Sequence, residues 1–416
     1  MSRIKGFHKM SIDERRSRLC KETGVSRQLV EHLNPANHNL TVTADRLVEN
    51  VIGTYQLPLG IATNLIVDKE AVLVPMVTEE SSVVAAVCNG ARQCCDSGGV
   101  QTVHSGQGMI GQIQVMELAN PQAVATSLLQ RLDEIKAICH ACDPKLIELG
   151  GGLQDVQTRV IGTNDNQQLV IHLIVNTLDA MGANAVNTMS ETLAPHIEKW
   201  TGGKVGLKIL SNLADERVIN ASACWHADAI GGEEVVDAIV KAGVFAQLDP
   251  YRATTHNKGI MNGISAVVQA TGNDTRAVEA GAHAYAARSG QYSPLTLWEK
   301  NQHGHLCGTL EVPMAVGIVG GATRAHPTAQ MCLKIMKIDN AKRLASIIAA
   351  VGLVQNFSAL KALATEGIQR GHMALHAKNI AIAAGATGEA IDTIAAKMIE
   401  LGTIREDVAI GLLERG

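Results

Sequence analysis

The sequence has 416 residues, of which 46% are hydrophobic, so it holds enough apolar material for two or three domains. Its 36 basic and 40 acidic residues nearly balance, and it contains only three Trp, four Tyr and three Phe. This composition gives no electrostatic reason to expect a nucleic acid or an anionic membrane as a partner, and it disfavours a base-stacking surface.

The apolar runs and the cysteines indicate the cellular compartment of the protein. The apolar stretches at 344–354 and 380–386 are shorter than the roughly 18–20 residues that cross a bilayer. The first residues contain no apolar segment of the secretory type. The nine cysteines are an odd number scattered along the chain, which is typical of reduced thiols. We therefore expect a cytoplasmic protein with no membrane span and no disulfide framework.

The N-terminal part of the chain predicts helices around a pair of strands. Helices are predicted at 11–24, 45–52 and 81–95, and strands within 60–77. The first helix begins with a capping box at Ser11-Ile-Asp-Glu14 and ends at Gly24. Glu79 and Glu80 precede the helix at 81–95, where the helix dipole favours carboxylates.

The middle of the chain has a different order of elements. Strands are predicted at 98–104, 112–118, 156–161, 168–175 and 207–211, and helices at 121–149 and 179–200. Between 107 and 212 the order is strand, helix, two strands, helix, strand, which is typical of the ferredoxin-like arrangement. After Gly231 the sequence predicts mainly helices, with two or three small ones after Gln369. The fold class is therefore α+β, with the ferredoxin-like unit inserted into a more helical remainder.

Three short motifs are explained better by structure than by chemistry. Gly106-Gln-Gly-Met-Ile-Gly111 matches G-x-G-x-x-G, but a strand pattern follows it where a dinucleotide fingerprint needs a helix, so we predict a turn between strands. Cys139-His-Ala-Cys142 has no second ligand pair for zinc and no thioredoxin-like context. His372 and His376 have zinc-ligand spacing without the glutamate of H-E-x-x-H, so we predict no metal but leave a catalytic or core histidine open.

Two polar segments are better candidates for a site. Residues 179–187 put small residues and amides at a helix start, where free N–H groups favour a phosphate, although helix packing would favour the same residues. Lys258 stands among apolar neighbours, and a partly buried lysine needs a carboxylate partner, for which Asp274 and Glu80 are candidates. A lysine held in this way would stabilise an oxyanion, whereas a surface lysine in a solvated loop is the alternative.

Ten longer runs together resemble the class II, bacterial form of 3-hydroxy-3-methylglutaryl-CoA (HMG-CoA) reductase. The resemblance extends from about Glu49 to the C-terminus. The runs lie at 49–53 (ENVIG), 77–86 (VTEESSVVAA), 179–184 (DAMGAN), 209–215 (ILSNLAD), 249–252 (DPYR), 256–263 (HNKGIMNG), 271–274 (TGND), 308–311 (GTLE), 320–323 (GGAT) and 371–376 (GHMALH).

The resemblance implies both an architecture and a reaction. It implies a large, mainly helical domain around a central helix at 1–106 and 213–368, a small ferredoxin-like NAD(P)-binding domain at 107–212, and a C-terminal helical flap at 369–416. It also implies a homodimer, alone or within a higher oligomer, with active sites at the subunit interface. The implied reaction interconverts HMG-CoA and mevalonate plus CoA by two NAD(P)H hydride transfers, through mevaldyl-CoA and mevaldehyde, with the direction in the cell left open.

The resemblance also assigns four catalytic residues. Lys258 would stabilise the oxyanion at the substrate carbonyl. Glu80 would be the general acid for mevaldehyde, with a pKa raised by burial. Asp274 would hydrogen-bond to both and tune them. His372, at the base of the flap, would protonate the departing CoA thiolate.

Binding residues follow from the same matching. The acyl group would meet Arg252, Ser82, Asn262 and Asn356, since arginine suits a bidentate grip on a carboxylate. The dinucleotide would meet Asp143, Asp179, Met181, Gly182, Ala183, Asn184, Asn187 and Asn212. A carboxylate at Asp143 would accept from a ribose 2′-hydroxyl and repel a 2′-phosphate, so NADH is expected to be favoured over NADPH. Coenzyme A enters as part of the substrate, and no metal is expected.

Two positions depart from the family pattern. Ser81 stands where the family commonly has proline, which frees one backbone angle beside Glu80. His8 stands where a basic contact to CoA is expected.

Two alternatives remain: a reductase of another carboxylate-bearing acyl-CoA, and an inactive homologue that binds CoA or a nucleotide. Retention of all four catalytic residue types argues against the second.

Overall fold

The computed structural model describes residues 4–10, 12–30, 56–163, 166–365 and 367–414. Within these ranges the side chains at 8, 12, 13 and 368–375 are not described. The predicted cap Ser11, the predicted helix at 45–52 and the run at 49–53 therefore lie outside the described residues, as does the side chain of His8.

The helices and strands have the following bounds. The helices are α1 Ile12–Thr23, α2 Arg27–Val30, α3 Val83–Cys94, α4 Pro121–Leu129, α5 Leu132–Cys142, α6 Pro144–Glu148, α7 Ala183–Thr201, α8 Ala227–Ile230, α9 Glu233–Leu248, α10 Pro250–Ala270, α11 Thr275–Ala286, α12 Gly321–Ala325, α13 Pro327–Ile335, α14 Ala341–Ala364, α15 Ile368–Ala383, α16 Glu389–Glu400 and α17 Glu406–Leu413. The strands are β1 Leu59–Val67, β2 Glu70–Val77, β3 Gln101–His104, β4 Gly108–Met116, β5 Gly152–Ile161, β6 Gln168–Asn176, β7 Lys204–Ser211, β8 Val218–Trp225, β9 Thr296–Lys300 and β10 Leu306–Pro313.

The inserted unit has the predicted ferredoxin-like topology. Its four strands are antiparallel in the order β5-β6-β4-β7. Helices α4, α5 and α7 cover one face, because alternate residues such as Ile113, Ile171 and Leu173 point into a shared core with Val186 and Leu193. The α+β fold class is confirmed.

The G-x-G-x-x-G segment lies mainly within a strand. Residues 105–107 connect β3 to β4, but Gly108 and Gly111 both belong to β4, so the prediction of a turn over the whole segment is wrong. A Cβ on Gly111 would lie 2.6 Å from the Ser190 hydroxyl and 2.9 Å from Val186. This glycine therefore lets α7 pack closely against the sheet.

The predicted helix at 121–149 is three helices, so that prediction is wrong. The chain leaves the helical conformation at Arg131, which precedes α5, and again at Asp143. Pro144 cannot continue a helix but suits a first helical position, and the Asp143 carboxylate accepts from the Leu146 amide at 3.0 Å to start α6.

The helical remainder contains a second four-stranded sheet that the sequence analysis missed in large part. Its antiparallel order is β3-β8-β10-β9, and β8, β9 and β10 were not predicted. The signal was present, because buried and exposed residues alternate along β8 and β10.

A central helix organises the large hydrophobic core. Helix α14 is buried along most of its length and packs on α3, α9, α10 and the second sheet. By length and composition alone this helix could span a membrane, but most of its apolar surface is covered by the protein itself. The implied central helix is thus present. Helices α15, α16 and α17 form a separate small core.

One pair of cysteines forms a disulfide, so the prediction of reduced thiols is wrong at Cys224 and Cys307. The two residues lie directly opposite each other on β8 and β10. They are 83 residues apart in sequence, so cysteine counting could not show that strand register brings them together. The other seven cysteines are not disulfide-bonded within the described part of the chain.

We expect this disulfide to contribute to stability. It closes a loop that contains α10, and a loop of this size stabilises by about 2–4 kcal/mol in measured cases. Reduction should therefore lower the urea midpoint of the wild type and leave that of a Cys224→Ser/Cys307→Ser variant unchanged. Two free thiols at these positions in the native protein, or a midpoint that ignores the reductant, would contradict the expectation.

Candidate active site

Lys258 and Glu80 form an ion pair. The Nζ atom of Lys258 lies 2.9 Å from Oε2 of Glu80, although 178 residues separate them. Their side chains are 60% and 37% exposed, so the expected burial of the lysine and of the general acid is not found in the single chain. Of the two carboxylates considered as partners for Lys258, the structure brings Glu80 to it.

Both partners are placed by helix starts. Helix α10 begins with a proline, and the Asp249 carboxylate accepts from the Arg252 amide at 2.9 Å, which sets Lys258 about two turns into the helix. Glu80 lies just before α3, where its amide donates to the Thr78 hydroxyl at 3.1 Å.

Ser82 has an uncommon backbone conformation beside this pair. Its φ is +75°, in the left-handed region that costs an L-residue roughly 1–2 kcal/mol. The Ser82 hydroxyl makes no hydrogen bond within the described residues, and its carbonyl accepts from the Ala86 amide at 2.8 Å. Such strain often occurs at functional sites, and here it leaves a hydroxyl available to a ligand.

Arg252 and Asn262 lie on the same helix as Lys258. Arg252 is half-buried, and burial lowers the pKa of its guanidinium. Across the described ranges, that guanidinium makes no hydrogen bond or ion pair, and the Asn262 amide makes none either. Both side chains are therefore available to bind a carboxylate or a hydroxyl.

Asp274 lies at the far end of α10 from the ion pair. It caps α11 by accepting from the Arg276 and Ala277 amides, and it also pairs with the Arg276 guanidinium at 3.2 Å. Partial burial raises its pKa, but the hydrogen bonds from Arg276 and Ala277 outweigh burial and hold the pKa below its ordinary value. Lys258 and Ala270 are twelve positions apart in α10, which corresponds to about 18 Å, and the expected hydrogen bonds from Asp274 to Lys258 and Glu80 are not formed within the described part of one chain.

Asn356 is buried and hydrogen-bonded. It is 1% exposed, and its Oδ1 accepts from the Trp298 indole at 2.9 Å and the Thr296 hydroxyl at 3.0 Å. Its Nδ2 donates to nothing in the described part of the chain. The predicted contact with the acyl group could therefore use only the amide nitrogen in this arrangement.

His256 also belongs to this buried group. Asn356 was predicted as a site residue, whereas His256, Thr296 and Trp298 were not. The Nε2 atom of His256 lies 2.5 Å from the Thr296 hydroxyl, while its Nδ1 is buried and has no hydrogen-bond partner among the described residues. Burial, with a smaller effect of the Arg252 charge, lowers the pKa of His256 to about 3, so the ring is neutral near pH 7. Thr296 and Trp298 belong to no recognised sequence motif. The one sequence signal for them was their alternating position along β9, which indicates that both face the same side of the strand.

The predicted dinucleotide residues gather at one edge of the ferredoxin-like sheet. The strand ends Gly108, Gly152 and Asn176 lie in register there. The segment 177–182 follows Asn176, and α7 begins after Gly182, whose φ is +99°. A Cβ on Gly182 would lie 2.3 Å from Thr177, so only glycine fits this turn. The amides of Ala183 and Asn184 begin α7, where N–H groups without helical partners favour a phosphate.

Of the other predicted dinucleotide residues, three make hydrogen bonds to backbone amides around this edge, and two are partly or fully exposed there. The carboxylate of Asp179 accepts from the Ala341 amide at 2.8 Å, and that of Asp143 caps α6. Asn187 uses its side-chain oxygen to accept from the Leu210 amide at 2.8 Å. Met181 is partly exposed beside Gly182, and Asn212 is exposed just after β7.

The two histidines with zinc-ligand spacing both lie in α15. His372 lies in α15, but its side chain falls outside the description, whereas His376 is exposed. Among the residues that are described, no group of three His, Cys, Asp or Glu side chains is placed to hold a metal ion.

Known families and structures are similar to this chain over nearly its whole length. A family model described as hydroxymethylglutaryl-coenzyme A reductase matches residues 11–377. A 3-hydroxy-3-methylglutaryl-coenzyme A reductase of Archaeoglobus fulgidus is 54% identical, over 100% of this chain and 94% of the relative. A probable 3-hydroxy-3-methylglutaryl-coenzyme A reductase of Borreliella burgdorferi is 35% identical, over 80% and 77%.

Solved structures agree with these sequence relatives. The 3-hydroxy-3-methylglutaryl-coenzyme A reductase of Streptococcus pneumoniae superposes with a TM-score of 0.85 at 37% identity, covering 99% of each chain. The class II enzyme from the same organism, bound to NADPH in open conformations, superposes with a TM-score of 0.84, covering 87% of this chain and 99% of that one. This chain therefore belongs to the hydroxymethylglutaryl-coenzyme A reductase family.

Proposed function

We propose that this chain interconverts HMG-CoA and mevalonate plus CoA. The observation that carries the proposal is the Glu80–Lys258 ion pair. The helix that carries Lys258 also presents the guanidinium of Arg252, which has no partner among the described residues. Thioester-dependent oxidation of NADH or NADPH by the purified chain tests it. The reverse reaction, with mevalonate and CoA, should be followed in parallel because metabolite levels set the direction in a cell.

The geometry suits reduction of a thioester carbonyl. Reduction places negative charge on the carbonyl oxygen, and the Lys258 ammonium offers three donors to stabilise it. Glu80 accepts a hydrogen bond from Lys258 as a carboxylate here, so it would first take up a proton from water and then deliver it to the same oxygen in the aldehyde step. Arg252 would hold the free carboxylate of the acyl group, with Ser82, Asn262 and the Asn356 amide near its hydroxyl. His372 would protonate the CoA thiolate as it leaves.

We infer that Asp274 reaches the site from a second copy of the chain. Within one chain Asp274 follows the far end of α10, whose last residue Ala270 is about 18 Å from Lys258 along the helix axis. Apolar side chains are exposed where the helix that carries Lys258 begins: Tyr251 is 85% exposed, and Leu248 and Phe245 at the end of the preceding helix are 75% and 55% exposed. Large exposed apolar side chains grouped at one place mark an interaction surface. A homodimer, alone or in a higher oligomer, would cover them and complete the site.

Nicotinamide dinucleotide would supply the hydride from the edge of the ferredoxin-like sheet. The start of α7 would receive its phosphates, and Asp179, Met181, Asn187 and Asn212 would line or hold the surrounding segment. Asp143 lies at the same edge, because α6 packs against the turn before β5. A carboxylate there favours NADH over NADPH.

Replacing Asp143 by serine should shift the preference toward NADPH. Serine can still cap α6, so the change removes the charge while keeping the helix start. We expect kcat/KM for NADPH relative to NADH to rise at least about fivefold, since a nearby like charge disfavours a phosphate by roughly 1 kcal/mol. Asp133→Ser, on the exposed side of α5, is the control. An unchanged ratio would remove Asp143 from cofactor selection.

The domain boundaries are also a proposal: 1–106 with 213–368, 107–212, and 369–416. Separate hydrophobic clusters in the second sheet and central helix, in the ferredoxin-like unit and in α15–α17 support these boundaries. We also place the protein in the cytoplasm, where the Cys224–Cys307 bond would be an exception to the usual reduced state of thiols.

A further inference from the structure

Arg217 is a buried charged residue at the junction where the chain leaves the ferredoxin-like unit and enters β8. Its guanidinium donates to the Thr177 hydroxyl at 3.3 Å, to the Ala180 carbonyl at 3.1 Å and to the Val316 carbonyl at 2.7 Å. Thr177 and Ala180 belong to the 177–182 segment before α7, whereas Val316 follows β10 in the helical remainder. One side chain, 7% exposed, therefore fastens this segment to the other unit of the fold.

The three oxygens that accept from Arg217 are all uncharged. Among the described residues, the guanidinium has no carboxylate within ion-pair distance. A small cavity beside it is lined by His104 and Lys342, and by no acidic residue that the structure describes. Burial lowers the pKa of Arg217 to about 10, and the Asp179 carboxylate opposes this shift from beyond ion-pair distance, so the side chain is charged at pH 7. A buried charge without a counter-charge is costly, so an anionic ligand is expected close to it.

The 177–182 segment keeps free amides on the side away from Arg217. The Ala180 carbonyl points to the guanidinium, and the N–H of Met181 points the opposite way because this peptide bond is trans. The amides of Met181 and Gly182 donate to no acceptor in the described part of the chain. Successive free amides before a helix favour a phosphate. Arg217 therefore lies behind the segment that would receive the phosphates.

We propose that Arg217 is a positioning residue for the dinucleotide, and that the pyrophosphate is the anion that offsets its buried charge. The guanidinium would fix the 177–182 segment so that its free amides meet the phosphates, and it would attract them from behind. Charged groups on the two sides of one peptide group are roughly 8 Å apart, and opposite charges at that separation attract appreciably inside a protein. Loss of Arg217 should therefore weaken dinucleotide binding more than it lowers turnover. This inference rests on the dinucleotide site of the proposed function.

The test compares Arg217→Met with the wild type as full-length proteins. Calorimetric titration with ADP-ribose, which carries the pyrophosphate without the nicotinamide, measures binding without turnover. We expect the Kd of ADP-ribose and the KM for NADH to rise at least about tenfold, while KM for HMG-CoA and kcat at saturating NADH change less than about threefold. Arg159→Met is the control. The Arg159 guanidinium lies 3.1 Å from His172 on the ferredoxin-like sheet and makes no described contact with the 177–182 segment, so the Kd should not change.

Arg217→Lys separates the charge from the hydrogen bonds. Lysine keeps the charge, but its single ammonium cannot reproduce the planar fork that bridges two units of the fold. Both variants lose hydrogen bonds, so both should have a lower thermal midpoint. We nevertheless expect Arg217→Lys to bind ADP-ribose at least about threefold more tightly than Arg217→Met. Equal Kd values for the two variants would overturn the claim that the pyrophosphate offsets the charge.

Two outcomes in folded Arg217→Met would overturn the positioning role. One is a Kd of ADP-ribose within about twofold of wild type. The other is an equal rise in KM for HMG-CoA and for the dinucleotide, because that would reflect a general loss of structure. If Arg217→Met does not fold, wild-type affinity in Arg217→Lys overturns the role and weaker affinity supports it. If the wild type lacks reductase activity, the function fails first, and the titration still decides the inference: a wild type that does not bind ADP-ribose overturns it.

Discussion

Replacing Lys258 by alanine should lower turnover by at least about 10³-fold, because removing even one neutral oxyanion donor costs about 10²–10³. The lysine side chain is 60% exposed and its one described partner is Glu80, so the fold should tolerate its loss. The measurement is kcat with saturating HMG-CoA, together with urea unfolding to confirm that stability is retained.

Lys241→Ala is the matched control for this change. Lys241 is an exposed lysine on the neighbouring helix α9, so its removal changes the charge without touching the ion pair. If the Lys258→Ala enzyme keeps activity within about tenfold of wild type, Lys258 does not stabilise the oxyanion.

Mixed dimers of Lys258→Ala and Asp274→Asn chains should recover activity that neither parent has. If Asp274 enters the site from the second copy, each mixed dimer contains one site with both wild-type residues and one with neither. We expect about half of wild-type activity from purified mixed dimers, since one of two sites is intact. Asparagine caps helices as well as aspartate, so α11 should be retained in the Asp274→Asn chain.

Two tags, one on each chain, allow the mixed dimers to be isolated after co-expression. Wild-type chains carrying the same two tags provide the reference activity, and each variant alone provides the background. Mixed dimers that remain as inactive as both parents would contradict the trans arrangement, because a site built within one chain always lacks one of the two residues.

Local patterns predicted much of the fold. The alternation along β4, β5 and β6 and the helix at α7 were enough to identify the ferredoxin-like unit, because its elements follow one another in sequence. The second sheet was missed because β3 pairs with β8 more than 100 residues later, and its short strands are surrounded by helical patterns. The helix breaks at Asp143 because Pro144 follows it, and the residue before a proline disfavours the helical conformation.

The site was predicted unevenly, for physical reasons. Residue types identified Lys258 and both candidate carboxylates, but only the tertiary structure could choose Glu80 over Asp274 within a chain. Asn356 matched a family position, yet sequence could not show that Thr296 and Trp298 occupy its oxygen.

The central claim is tested most directly by one assay with the purified full-length chain. HMG-CoA is added to the protein with NADH or NADPH, and loss of reduced nicotinamide absorbance is followed with and without the thioester. Our account predicts thioester-dependent oxidation with about two dinucleotides consumed per mevalonate formed, faster with NADH than with NADPH. A folded protein that oxidises neither dinucleotide, and forms no reduced dinucleotide from mevalonate and CoA, would contradict it.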